Sequence, residues 1–193
     1  PIGLLFRLSV LDTQGTPQHE PTYGEQFANS AAQGVRPEGQ VRIRYTELPG
    51  KFADGTRYSL RQPLYRFTHL GYGPMQPGTL VSPRIAPQMP GVGLIDAISE
   101  ADILANVQQQ ASRSDGIHGM ANRVFDPFAG KEVVGRFGWK ANTGSLAHQS
   151  AAAFNGDIGI TSEKFPREDC TPKQKDCAAA PRGGQNGGFE IDN

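Results

Sequence analysis

Hydrophobic positions in this chain form short periodic runs set apart by long polar stretches rich in glycine and proline. Val41, Ile43 and Tyr45 alternate with Arg42, Arg44 and Thr46, the period-two pattern of a half-buried strand. The turn dipeptides Pro49-Gly50 and Asp54-Gly55, with the runs Tyr58 to Leu60 and Leu64 to Phe67, extend this into a small antiparallel hairpin or three-stranded meander, with Pro63 confining its strand to an edge. Leu4, Leu5, Phe6, Leu8 and Val10 form a short apolar segment at the start. Tyr23 and Phe27, four apart, predict a short helix over 23–30 with Glu25 and Gln26 flanking them.

Two further helices carry start signals. Ser99 stands as N-cap before Glu100, with Asp102 at the capping-box position and Ile98 and Ile103 as the staple; the helix runs through Leu104 and Val107 and frays over Gln108 to Gln110. Thr143 caps a later helix whose predicted inner stripe is Leu146, Ala147, Ser150, Ala153 and Phe154, with Gly156, Asp157 and Gly159 ending it. Small residues dominate that stripe, so a neighbouring backbone or a flat cofactor can approach closely. Trp139, the chain's one tryptophan, precedes this helix with Arg136 and Lys140 beside it.

Prolines and glycines punctuate Gly71 to Gly93 so densely that an irregular wrap across a surface is expected there. Over the whole chain, 24 glycines and 15 prolines accompany a hydrophobic content of only 37%, which predicts a thin core and dominant loops. The expected fold class is α+β with high loop content: short helices plus a small antiparallel hairpin or meander. Residues 1–180 read as one segment and 181–193, containing GGQNGG, as a flexible linker.

A formal net charge of zero removes the general electrostatic case for nucleic acid or an anionic membrane as partner, and no run is long and apolar enough to span a bilayer. Residues 1–10 lack the cationic lead of a signal peptide. Cys170 and Cys177, spaced C-x6-C without a nearby histidine, read as a small-loop disulfide or two free thiols rather than zinc ligands. The loop SRSDGIHG offers calcium only Asp115 and serine hydroxyls, with Arg113 among them, too few oxygens for that ion. His19, His118 and His148 read as exposed. No nucleophile elbow or Ser-His-Asp order supports a hydrolase.

RFGWKAN followed by SLxxQxAxAFxGDIGIT resembles the central region of bacterial di-haem oxidoreductases, a di-haem cytochrome c peroxidase-like family also labelled thiol oxidoreductases. The resemblance extends through LLFRLSV, YGEQ, FADGTRYSLRQP, LGYGPM, SPRIAPQMPGVGLIDAI, DGIHGMANRVFDP and EDCTP, nearly the whole chain. The family binds two haems covalently at Cys-x-x-Cys-His motifs, which this sequence lacks. The resemblance therefore implies a segment lying between the two attachment sites of a longer protein and packing against its cytochrome c-like haem domains.

On that resemblance the parent is a periplasmic or secreted oxidoreductase of peroxidase type, with haem c attached outside this segment and a small electron-donor protein as a further partner. Gln26, within YGEQ, is the candidate catalytic amide, and Glu25 or Glu47 the acid that moves a proton between peroxide oxygens. Met89, in APQM, is the candidate axial ligand, held between Pro87 and Pro90; a core position against Leu94 and Ile95 is the other reading. Arg84, Arg136 and Lys140 are candidate propionate partners, and Trp139 lies between the haems or anchors the core. Arg42, Arg44, Arg57, Arg61 and Arg66 form either a solvated sheet face or further carboxylate binders. The competing function is a stand-alone extracellular binding or structural module.

Overall fold

The computed structural model describes residues 3–181, 183–184 and 188–191. It is α+β with high loop content, and the chain divides into two compact units: Pro1–Ile85 with Cys170–Ala180, and Ala86–Asp169 with Pro181–Asn193.

In the first unit, β1 (Leu4–Leu11) is a strand whose alternate residues Phe6, Leu8 and Val10 are buried. It pairs antiparallel with β2 (Pro17–Gln18) and with β5 (Leu80–Ile85). β5 falls inside the stretch expected to be irregular. The register explains how Pro83 is tolerated there: the segment after Gly24 uses the Phe6 carbonyl and the Leu8 amide, so Phe6↔Pro83 is a non-hydrogen-bonded pair and the proline nitrogen faces the open edge.

β3 (Gln40–Lys51) and β4 (Arg57–Thr68) form a single long hairpin closed at Asp54-Gly55, not a meander. The Pro49-Gly50 dipeptide is no turn; it lies within β3, where the Tyr58 ring covers Gly50 so closely that a Cβ would collide with it. Phe52 donates its N–H to the Thr56 carbonyl. Counting back by twos, Tyr45↔Pro63 and Pro49↔Ser59 are non-hydrogen-bonded pairs, and neither proline removes a ladder bond. Val41, Ile43, Tyr65 and Phe67 pack with Phe6, Leu8, Tyr23 and Phe27 in the core, where Phe67 meets Phe27 and Phe6 edge-on at 4.9 and 5.6 Å.

Residues 23–30 are not helical. The Glu20 carboxylate accepts the Thr22 and Tyr23 N–H groups at 2.7 and 2.6 Å, and Gly24 adopts φ 75°, so turn chemistry overrides the helical spacing. Arg7 and Gln26 then form an isolated antiparallel bridge. The disulfide Cys170–Cys177, one of the two states left open by the sequence, encloses a loop and leads through α4 (Lys175–Ala179). Thr171 donates its hydroxyl to the Thr22 carbonyl, and Gln174 donates its amide to Glu38.

In the second unit, α1 (Val92–Asp96) precedes α2 (Glu100–Ala111), which does not fray at its glutamines. The Ser99 Oγ accepts the Asp102 N–H at 3.1 Å and donates to its carboxylate at 2.7 Å, the predicted cap. β6 (Arg123–Asp126) and β7 (Lys131–Val134) make a short hairpin. The cap of α3 (Leu146–Ile158) is Ser145, not Thr143. Thr143 instead bridges Phe137 and is buried, and the helix ends at left-handed Gly159, with Gly156 and Asp157 inside it. The 181–193 stretch lies partly outside the described residues; within those described, Glu190 accepts the Thr161 N–H at 2.7 Å. No helix among the described residues is long and apolar enough to cross a membrane.

Glu20 is 1% exposed, and its second oxygen accepts the Gln76 N–H at 2.7 Å. Replacing it with Ala strands three backbone donors at roughly 1–3 kcal/mol each. A loss of at least about 3 kcal/mol is therefore expected for Glu20→Ala in denaturant unfolding, against under about 0.5 kcal/mol for exposed Glu163→Ala.

Candidate functional site

The candidate residues fall in both units. In the first, β1 brings Glu25, Gln26 and Arg84 around Arg7. Arg7 Nη1 lies 3.1 Å from Glu25 Oε1, both partly exposed. Gln26 bridges Arg7 across the strands, and Arg84, opposite Leu5 on β5, donates Nε–H to Ser82 Oγ at 3.3 Å. Burial lowers the Arg84 guanidinium from its ordinary value; Arg7 adds to this and Glu25 opposes it. An amide, a carboxylate and two guanidiniums thus share one patch, able to bind an anion or to position a proton donor.

Glu47 does not join them. It sits six residues beyond Val41 on the hairpin, roughly 20 Å farther along the strand, where Ser59 and Arg61 donate to it at 2.7 and 2.9 Å and hold its carboxyl below the usual range.

In the second unit, Met89 is 48% exposed on its proline-flanked loop, and Leu94 and Ile95 are exposed as well, so it is not buried core against them. Trp139 is 56% exposed and does not anchor a core. It is carried outward because Gly138, Lys140 and Ala141 all have positive φ, 73°, 55° and 53°. Two non-glycine residues in the left-handed region cost on the order of 1 kcal/mol or more each. Asn122 holds this loop, donating to the Lys140 and Ala141 carbonyls at 3.4 and 3.1 Å, while Gly135 leaves no room for a Cβ beneath the Ala141 carbonyl. Beside it lies an open, mainly apolar cleft of about 280 Å³ whose walls include Ile98, Ile103, Val107, Met120 and Ala141. Arg136 turns inward, its Nη1 donating to the Ile95, Asp96 and Ile98 carbonyls at the end of α1. Lys140 remains exposed.

Sequence reasoning missed one pair. His148, expected to be exposed, retains only 13% side-chain exposure; its Nδ1 faces Asp126 Oδ2 at 3.8 Å, and its ring stacks on Phe165. Asp126 is 1% exposed and accepts the Phe128 and Ala129 N–H groups at 2.8 and 3.0 Å. The signal was present but of the wrong chemistry: His148, Ala151, Ala152 and Asn155 have the same i, i+3, i+4, i+7 spacing as a core stripe, yet are small or polar, while Ala147 and Phe154 of the predicted stripe are exposed. Asp115, in the loop tested for calcium, is engaged by Arg113.

Burial lowers the His148 imidazole below its ordinary 6.5, with Asp126 pulling the other way. A neutral ring at 3.8 Å is no ion pair. Unfolding frees the ring to take up a proton, so stability falls as pH drops below 6.5. Asp126 acts with the same sign at lower pH. Burial pushes its carboxyl up, but hydrogen bonds from Ser145, Ala129 and Phe128, with His148 nearby, hold it below 3.8, and its contribution is lost as pH falls below that value. Urea midpoints should accordingly decline between pH 7 and 5 in the wild type, and His148→Gln should flatten that decline; an identical slope in both proteins would contradict the assignment.

Residues 12–188 match the family model described as "Di-haem oxidoreductase, putative peroxidase". No curated protein and no solved structure matches the chain. With nearly its whole length matched, the chain belongs to the di-haem oxidoreductase family.

Proposed function

We propose that this chain is the inter-haem portion of a periplasmic or secreted c-type di-haem oxidoreductase that reduces peroxide. The family implies haem, and the side chains of the second unit fit such a group. Met89 offers a soft, accessible thioether, and Trp139, Leu94, Ile117 and Met120 are exposed apolar side chains for a flat apolar ring to cover. Haem, when bound, supplies the electron transfer and the cleavage of the peroxide O–O bond.

In this reading Met89 Sδ is the ligand from this segment. Lys140 would pair with a propionate, and Trp139 would pack against the ring and help couple the two haem sites. Arg136 is occupied on its Nη1 by the end of α1 and serves mainly to hold the loop that carries Trp139. Arg84 remains a second propionate partner, in the patch of the first unit.

The observation that carries the peroxidase reading is the cluster of Glu25 and Gln26 with Arg7. Arg7 orients the Glu25 carboxylate, which takes a proton from one peroxide oxygen and returns it to the other; the Gln26 amide holds the peroxide by hydrogen bonding. Glu47, remote on the hairpin and held by Arg61, is the weaker candidate for the acid. A disulfide at Cys170–Cys177 is compatible with an oxidising compartment. The alternative, a stand-alone binding module, predicts a full-length protein without covalent haem, which mass measurement distinguishes directly.

Two outcomes test the assignment in the full-length protein. Gln26→Ala is expected to lower peroxide turnover by about a hundredfold with haem content unchanged, and wild-type turnover would remove Gln26 from the mechanism. Met89→Leu should abolish a sulfur-to-iron charge-transfer band at the red end of the absorption spectrum, and an unchanged spectrum would retire Met89 as ligand.

A further inference from the structure

The β3–β4 hairpin segregates its charges by face. Because side chains alternate, its register puts Val41, Ile43, Tyr45 and Glu47 with Phe67, Tyr65, Pro63 and Arg61 on the face whose inner end packs on the core. The hairpin's one acid outside the turn, Glu47, is on that face and engages Arg61 at 2.9 Å. The opposite face carries Gln40, Arg42, Arg44, Thr46 and Leu48, paired with Thr68, Arg66, Leu64, Gln62 and Leu60. It has three guanidiniums and no acid.

Arg42 and Arg66 are directly opposite each other, an arrangement that destabilises a sheet unless an anion lies between them. Counting from the Phe52–Thr56 bond, theirs is a hydrogen-bonded pair, with Cα atoms about 5.5 Å apart. Arg44 follows on the same face opposite Leu64. Among the described residues none of the three is in an ion pair, and all are exposed. They line an open concavity of about 350 Å³ with Leu64, Tyr65 and Thr68. Farther out on the same face, Leu48, Leu60 and Tyr58 are exposed apolar side chains.

We propose that the outward face of this hairpin is a binding site for an oxyanion, a carboxylate or phosphate borne on an apolar body, held by Arg42, Arg44 and Arg66 with the apolar part on Leu64. Guanidiniums grip such groups through paired N–H donors, and a bound oxyanion offsets the Arg42/Arg66 repulsion that the free hairpin retains. The site is independent of the haem reading: it uses neither the Arg7 cluster nor the second unit.

Titration of the full-length protein with phosphate, acetate, octanoate and chloride at matched ionic strength tests it. Phosphate or octanoate is expected to bind at least about tenfold tighter than chloride, which also tells which oxyanion is preferred, and octanoate to bind tighter than acetate through its chain. The double variant Arg42→Gln/Arg66→Gln should lose about tenfold or more of that affinity, whereas Arg57→Gln, on the other face, keeps it. Arg44→Gln gives the same reading should the double variant fold poorly. Chloride matching the oxyanions, unchanged affinity in the double and Arg44 variants, or acetate equalling octanoate would overturn the proposal.

Discussion

Buried carboxylates that collect backbone N–H groups organise this protein more than its apolar core does. Glu20 accepts three such donors in the first unit, and Glu38 takes the Ala28 N–H at 2.6 Å and the Gln174 side chain. Buried Asp126 does the same work in the second unit for the β6–β7 turn, and half-buried Glu190 for Thr161. A chain with so many loops has many amides that no helix or sheet satisfies, and an unpaired buried amide is costly. One carboxylate with two oxygens can serve several donors at once, which lets an irregular backbone bury itself. At Asp126, whose carboxyl these hydrogen bonds hold below its ordinary value, the arrangement is weakened by acid.

This economy explains what was legible in the sequence. The alternation from Val41 to Thr46 and the Ser99 cap depend on neighbours a few residues away, and both emerged as read. The failures share a cause in long-range acceptors and packing. Tyr23 and Phe27 have helical spacing, but Glu20 and Gly24 bind the backbone into a turn, and both aromatics still reach the core, Tyr23 from that turn and Phe27 from the segment after it. Pro83 looked like a strand breaker and is accommodated because the other side of β1 is already used. For α3 the predicted inner stripe included Ala147 and Phe154, which are exposed, whereas Ala151 is buried and His148 turns toward Asp126. Of the candidate site, the neighbours Glu25 and Gln26 were readable from the chain, and Arg84 joining them needed the β1–β5 register. The outward display of Trp139 was not readable, since nothing in a sequence announces left-handed Lys140 and Ala141.

The candidate residues are thus held in two different ways. The Arg7 patch lies on the three-stranded sheet of the first unit, where strand register fixes spacing. Met89 and Trp139 ride on loops, one stiffened by prolines and the other by strained backbone and the Asn122 side chain. Side chains carried in this way stay exposed rather than packed: Met89 is 48% and Trp139 56% exposed.

The division of the chain has a consequence for how the protein is made. The first unit is interrupted after Ile85 and resumes only at Cys170, so its closing strap is synthesised after nearly all of the second unit. Until Gln174 emerges, 136 positions later, the Glu38 carboxylate lacks that donor, and the Thr22 carbonyl awaits Thr171. The first unit is therefore incomplete until Cys170–Ala180 has been made, and most of the second unit is inserted within it in chain order. Closing so long a loop costs little more than closing a short one once the insertion is compact, since the penalty grows only with the logarithm of the length. The Cys170–Cys177 bond then fixes the shape of the strap locally without spanning the insertion.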